Sequence, residues 1–386
     1  MDFRLSDDQQ KLRQVARDFA RAELPAIAAE LERDNEPPPR DLIRRYAQMG
    51  FLGVNVPEAL GGLGLGNLDA LIVLEEFAKI SSAVAFPIFE SMVGPVRAVE
   101  RFASNSLKQR IVPQVCSGEM VVAVAMSEPD AGSALTDLKT RARIDGDQIV
   151  IDGTKRWCSG GGHSDAYVVY CRLSDDPGAK GIGAVLVEKD APGLSFGPNE
   201  HLMGFRGIPS ADLNFDECRV PIDNLVVPAG GFKKLMEAFD LERCGNATMA
   251  LGQASGALED ILVYVEERRQ FGKALSEFQA VQLKLAEMQM KVEAARLLIW
   301  RAAANAEDGL PSILDSSLGK CFANTIAREV TGDALQLMGA YGYSKEFPME
   351  RRFRDSWGWG IAGGAIDIQK VNIAGAMLGR RFDQRR

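Results

Sequence analysis

Residues 119–133 read Glu-Met-Val-Val-Ala-Val-Ala-Met-Ser-Glu-Pro-Asp-Ala-Gly-Ser, and here the chain changes character. Upstream, the periodicity is helical. Ser6 and Gln9 form a capping box ahead of a run through Leu12, Val15, Phe19 and Leu24. After Pro37-Pro38-Pro39 a second helix is predicted from Asp41 to Met49, ending at Gly50. Further helices are predicted over 68–80, 88–104 and 106–117, the last with a capping box at Ser106 and Gln109.

Downstream come short β-branched runs: Val121–Ala125, Ile149–Ile151, Ala166–Cys171, Gly183–Val187 and Ala211–Phe215. Turns such as Asp145-Gly146 and Asp152-Gly153 separate them. With no helix between them, they predict a compact antiparallel barrel or sandwich. From Gly231 the pattern is helical again, over 232–268, 277–307, 312–338 and 365–380, which indicates a bundle. The expected fold class is therefore α+β, with an all-α domain at 1–118, a β domain at 119–228 and a helical bundle at 229–386.

Bulk properties narrow the function. A net charge of −8 argues against a nucleic-acid or anionic-membrane partner. The start, Met-Asp-Phe-Arg-Leu-Ser-Asp-Asp, has neither the basic nor the apolar region of a signal peptide, and nothing is long and apolar enough to span a bilayer. Six scattered cysteines without a C-x-x-C pair suggest reduced core thiols and a cytoplasmic protein. Two histidines leave no material for a histidine-rich metal site. Gly358-Trp-Gly-Ile-Ala-Gly363 fits G-x-G-x-x-G, but a charged helical segment precedes it and only 23 residues follow, so it is not a dinucleotide fingerprint.

Five ordered segments carry a resemblance: Met126–Ser133; Gly153-Thr-Lys-Arg-Trp-Cys-Ser-Gly-Gly161; Arg268-Arg-Gln-Phe-Gly-Lys273; Asp333–Tyr343; and Pro348-Met-Glu-Arg351 with Arg354-Asp355. Together they resemble the signatures of the acyl-CoA dehydrogenases. That resemblance implies an N-terminal helical domain, a middle β-domain, a C-terminal four-helix bundle and FAD as cofactor. It places Met126, Ser127, Gly132, Ser133, Trp157 and Ser159 at the flavin, with Trp157 as its aromatic wall. Taken alone, Trp157 reads as a core residue of a strand. Arg268, Gln270, Phe271, Gln336 and Gly339 would reach the FAD of a neighbouring subunit, implying at least a dimer and commonly a tetramer built as a dimer of dimers. Alone, Arg268 reads as a solvated cation near a helix end.

Most members carry their catalytic glutamate after a tyrosine in a "Y-E-G-T" segment; the matching position here is Gly363. A minority, including isovaleryl-CoA and long-chain enzymes, carry it on the first long C-terminal helix in an "L-E-R"-like context, and this chain has Asp240-Leu-Glu-Arg243 there. Phe232, Leu235, Phe239, Glu242, Asn246 and Met249 step by three or four residues, so Glu242 interrupts an inward stripe. A buried acid is costly unless paired or functional. Glu242 is the expected base, and the competing expectation is an ion pair to Arg243 or another arginine. Gly363 would offer its N–H to the thioester oxygen, and Ser133, Asp240 and Arg243 are the expected substrate contacts; for Arg243 the plain alternative is surface charge.

Ala365 and Asp367 stand where the family has threonine and Gln or Glu. The segments Gly204-Phe-Arg-Gly-Ile-Pro209 and Ile361-Ala-Gly-Gly364 also resemble a branch that includes 3-sulfinopropionyl-CoA desulfinase, which has Gln at the Glu242 position and an arginine near Phe86. A non-catalytic FAD- or acyl-CoA-binding protein is the third reading. Phe86, Phe89, Trp357 and Trp359 are candidate acyl-pocket residues, favouring a short, branched, cyclic or aryl acyl group. Electron-transfer flavoprotein is the electron acceptor that the resemblance implies.

Overall fold

The computed structural model describes residues 3–306, 309–380 and 382. The first helix, α1 (Asp7–Asp34), starts at the Ser6 and Gln9 capping box as predicted. Then come α2 (Arg40–Gln48), α3 (Asn67–Ala78), α4 (Ser82–Met92), α5 (Val96–Phe102) and α6 (Asn105–Cys116). The helix expected over 88–104 is broken in two at Gly94-Pro95, where a proline begins the second piece and a side chain on Gly94 would strike the Glu90 carbonyl oxygen at 2.8 Å. The cap of α6 is Ser104, not Ser106; its hydroxyl accepts from the Leu107 N–H, and Ser106 merely bonds that hydroxyl.

The middle region folds as β1 (Val122–Ala125), β2 (Arg141–Asp145), β3 (Gln148–Ser159), β4 (Ala166–Arg172), β5 (Ile182–Glu188), β6 (Leu194–Phe196), β7 (Ser210–Pro221) and β8 (Leu225–Val227). They form one sheet in the order β6-β7-β3-β2-β4-β5-β8, with β1 added alongside β4. The sheet is mixed, not antiparallel: β1 runs parallel to β4, pairing Val122 with Ala166. The chain leaves β1 through the 126–140 loop and the β2–β3 hairpin, and so returns to β4 in the same direction. Alternation on β4 assigns Ala166, Val168 and Tyr170 to one buried cluster and Tyr167, Val169 and Cys171 to another. Both faces are covered, which is why β4 reads as a continuous apolar run.

The last third holds α7 (Phe232–Glu267), a short β9 and β10 hairpin (Arg269–Gln270, Lys273–Ala274), α8 (Gln279–Ala304), α9 (Ile313–Met338), α10 (Ala340–Tyr343), α11 (Met349–Trp359) and α12 (Ile366–Met377). Residue 307, the predicted end of the second bundle helix, lies outside the described residues, as do Met1 and Asp2. One core joins the N-terminal helices to the bundle, from Leu24, Tyr46 and Phe77 to Leu241, Ala254, Ile299 and Val330. Among the described residues all six cysteines are free, and no helix is long and apolar enough to cross a membrane.

The G-x-G-x-x-G stretch lies at the end of α11, and its glycines serve packing. A side chain at Gly358 would meet the Phe205 ring at 2.5 Å, and one at Gly360 the Arg328 guanidinium at 2.3 Å. The Gly204–Pro209 segment is a strut between all three regions. Phe205 rests on Trp359 with ring centroids 4.8 Å apart, its N–H donates to Asp355 at 2.8 Å, and Arg206 donates to the Glu32 carbonyl at 2.6 Å.

Candidate active site

Two of the five matched segments meet at the sheet. Lys155 on β3 is fully buried; its Nζ donates to the Met126 carbonyl (2.9 Å) and pairs with Glu128 (2.8 Å). Glu128 in turn accepts from the N–H groups of Lys139 and Thr140 at 2.5 and 2.9 Å. The Arg156 N–H donates to the Ser127 carbonyl at 2.9 Å. The loop carrying Ser127, Gly132 and Ser133 is thereby fixed to the strand, with Gly132 and Ser133 exposed.

The same strand aims Trp157 outward. Between Lys155, which pairs with Leu213, and Cys158, which pairs with Ala211, β3 carries one residue more than its partner. Such a bulge re-aims a side chain. Trp157 takes a left-handed backbone (φ 61°), lies 52% exposed, and has the Arg156 guanidinium 4.3 Å from its ring centroid. The expectation of a core tryptophan is overturned. Ser159 lies two residues on, at the end of β3 opposite Ser210.

A second group gathers at the far end of α7. The Arg268 guanidinium sits 5.5 Å from the centre of the Tyr341 ring, so it is not simply solvated, and Tyr264 donates to the Met338 carbonyl at 3.2 Å. Around this contact Gln270, Gln336 and Gly339 are exposed, and Phe271 is 93% exposed with φ 53°. At a rise of 1.5 Å per residue, Arg268 is about 39 Å along α7 from Glu242.

Glu242 occupies the near end, where α7 crosses α9 and the turn before α12. Gly363 in that turn has φ 62°, and a Cβ placed on it would lie 3.6 Å from the Phe239 ring and 3.4 Å from both Asn246 Nδ2 and Lys320 Nζ. Phe239 and Asn246 stand three residues before and four after Glu242, so all three share one helix face. The turn is held by its Ala362 carbonyl, which accepts from Lys320 at 2.5 Å and from Asn246 at 3.3 Å. Asn324 donates to Asn246 at 3.0 Å and completes the frame. The Gly363 N–H makes no hydrogen bond to a described residue.

Glu242 is partly buried and makes no ion pair or hydrogen bond among the described residues. Arg243, the rival partner, is buried and pairs with Asp240 instead, which also accepts from Ser316 at 2.6 Å. Arg243 is therefore not surface charge. Loss of water pushes the Glu242 carboxyl up to about 8, against the pull of Lys320 and Arg243. Burial and the Arg243 charge push fully buried Lys320 down to about 7, against the pull of Glu242.

Phe86 and Phe89 stack with centroids 5.7 Å apart, and Phe89 lies 5.7 Å from Trp359. Trp357 is elsewhere, on the surface under Arg328 at 4.2 Å, because one helix cannot turn two residues two apart to the same side. Asp367 points to solvent and pairs with Lys370. Sequence reasoning overlooked Lys320. Its signal was a lysine at the inward spacing Ser316, Lys320, Ala323, Ala327.

Comparisons with known proteins bear on the family and the fold. Residues 6–119, 123–218 and 229–378 match the families described as the N-terminal, middle and C-terminal domains of acyl-CoA dehydrogenase. The chain belongs to the acyl-CoA dehydrogenase family. It is 39% identical over 378 residues to a probable acyl-CoA dehydrogenase of Mycobacterium leprae, covering 97% of each chain. It is 38% identical over 389 residues to the 3-sulfinopropanoyl-CoA desulfinase of Paraburkholderia xenovorans, covering 100% of this chain and 99% of that protein. Butyryl-CoA dehydrogenase from Megasphaera elsdenii superposes with a TM-score of 0.94 at 32% identity, covering 98% and 100%. A chain from a structural study of the electron transferring flavoprotein of Acidaminococcus fermentans also gives 0.94, at 35% identity over 98% and 100%.

Proposed function

We propose that this chain is an FAD-dependent enzyme that removes the α and β hydrogens of a coenzyme A thioester, with Glu242 as the base. The observation that carries this reading is an acid, on the helix face opposite the Gly363 turn, with no hydrogen-bond or ion-pair partner among the described residues. When bound, FAD supplies the hydride acceptor for the β-hydrogen. A bound flavin fits the sheet: an indole left half-exposed by a bulge, on the strand that anchors the loop carrying exposed Ser133, offers an apolar wall and hydrogen-bonding groups.

Glu242, as carboxylate, takes the α-proton. Its raised pKa makes it a stronger base and becomes neutral cost once the proton is held. The Gly363 N–H, which donates to no described residue, is free to donate to the thioester oxygen, favouring the enolate. The left-handed turn that exposes this N–H is locked by Lys320 and Asn246. Asp240 and Arg243 brace the helix beside the base, with Arg243 a contact for the coenzyme A end.

The distance along α7 supports shared sites. Arg268, Gln270, Phe271, Gln336 and Gly339 are too far from Glu242 to complete the same chain's site and would serve a neighbouring subunit. Exposed Leu283, Met290 and Leu297 recur every seven residues on α8 and give an apolar stripe suited to such a contact. A homotetramer in the cytoplasm, with electron-transfer flavoprotein as acceptor, completes the proposal; six free thiols fit that compartment.

The desulfinase relative keeps a second reading in view, elimination of sulfinate without net oxidation, and a non-catalytic binder is a third. Anaerobic mixing with a panel of acyl-CoAs separates them. A dehydrogenase bleaches the flavin band; a desulfinase leaves it oxidised and releases sulfinate; a binder does neither. Glu242→Gln is expected to slow bleaching by about a thousandfold with FAD retained. Bleaching within about tenfold of wild type in that variant would remove Glu242 from the role.

A further inference from the structure

A second acid faces the same place. Glu90, on α4, interrupts the apolar run Ala83-Val-Ala-Phe-Pro-Ile-Phe-Glu-Ser-Met-Val93 and is 3% exposed. It makes no hydrogen bond or ion pair with any described residue, and its Oε2 is wholly shielded from solvent. Such a group is kept only where something is gained, since a buried polar atom without a partner costs about 1–3 kcal/mol.

Its surroundings indicate what it faces. The α4 helix lies against α7 at the level of the base: a side chain on Gly245 would meet Val93 at 2.3 Å and the Phe89 ring at 3.1 Å. Glu90 is within electrostatic reach of Glu242 on α7, of Cys158 on β3 beside Trp157, and of Tyr167 on β4. It therefore sits where the helical bundle, the flavin-side strand and α4 converge, next to the Phe86, Phe89 and Trp359 wall. Burial, reinforced by the Glu242 charge, drives its carboxyl well above the usual range.

We propose that Glu90 determines acyl-group specificity, its unsatisfied carboxyl receiving a hydrogen-bond donor, a hydroxyl or a protonated amine, carried on the acyl chain beyond the β-carbon. This rests on the acyl-CoA reading of the site above. The aromatic wall accommodates the carbon skeleton, and Glu90 supplies a polar anchor there whose carboxyl is unpartnered among the described residues. A methyl group at that point leaves the acid unpartnered, and a carboxylate brings a third acid into a place that already disfavours charge on Glu90 and Glu242.

The test uses the holoenzyme and acyl-CoAs of equal length ending in methyl, hydroxyl, amine or carboxylate. Affinity is read from perturbation of the flavin band, and turnover separately from its bleaching. Wild type is expected to favour the hydroxyl or amine end over methyl by about tenfold or more in affinity. Glu90→Leu reverses that order. Glu90→Gln, which conserves shape, keeps hydroxyl selectivity and loses amine selectivity, so the two donors are told apart even if the leucine variant folds poorly. A wild-type preference for methyl or carboxylate ends, or an order unchanged within about twofold in both variants, overturns the assignment. Absence of bleaching with every thioester counts against the dehydrogenase reading alone, because the affinity order is measured without turnover.

Discussion

Glu75 on α3 and Glu242 on α7 are both acids inside the protein, and their environments are opposite. Glu75 is 5% exposed and held by Arg296, which donates to it at 2.7 Å, with Ser255 at 3.3 Å. Next to it Glu76 takes a two-pronged contact from Arg17 and another from Lys79. Burial alone would raise the Glu75 carboxyl, but Arg296 and Lys79 outweigh it and hold it below its ordinary value. Glu242 has no such partner and is driven up to about 8. Structural acids in this fold are neutralised in place, whereas Glu242 and Glu90 bear an electrostatic cost with no return inside the protein. Unpartnered buried acids beside one another mark a site rather than a core.

The sharpest test of this contrast is stability. Glu75→Gln leaves the buried Arg296 with Glu293 as its remaining carboxylate and is expected to cost about 3 kcal/mol in denaturant unfolding, whereas Glu242→Gln costs nothing or stabilises. Equal losses in the two variants would break the comparison.

Next in size is the dependence on pH, where the two acids have opposite signs. The folded pKa of Glu242 lies above its unfolded value, so its contribution is complete below about 4.5 and is lost as the pH rises through about 8. The difference in stability between wild type and Glu242→Gln should fall across that window and level off above it. Glu75, with its folded pKa depressed, contributes above about 4.5 and loses that contribution as the pH falls. A flat difference curve for Glu242 would mean its environment is not the dry one described. On the proposed mechanism, flavin reduction is expected to rise with pH toward about 8, as the Glu242 carboxylate forms.

The smallest effect sharpens the contrast from the other side. Asp367 pairs with Lys370 in open solvent, so Asp367→Asn should change unfolding free energy by less than about 0.5 kcal/mol. It occupies a position where the family has Gln or Glu, yet it points away from the site.

Legibility in the sequence followed the range of the interaction. The helix–sheet–helix order, the capping box at Ser6 and the false dinucleotide motif were readable because caps, periodicity and turns are set by neighbours a few residues apart. Glu242 was singled out by its place in a stripe, but α7 from Ala238 to Leu258 is buried on nearly every side, and Asp240 and Arg243 are buried with it. What separates these acids is which one finds a partner. Asp240 has Arg243 and Ser316, and Glu242 has none among the described residues.

By itself the sequence determined the order of elements and the family motifs. Only the tertiary structure decided that β1 lies parallel to β4, that a bulge turns Trp157 out of the core, that Lys320 and Asn246 hold the Gly363 turn, and that Glu90 on α4 is buried within electrostatic reach of Glu242. The reason is physical. Backbone preference is fixed by near neighbours, whereas the dielectric and partners of a carboxyl are fixed by residues more than a hundred positions away, and these meet only when the chain has packed.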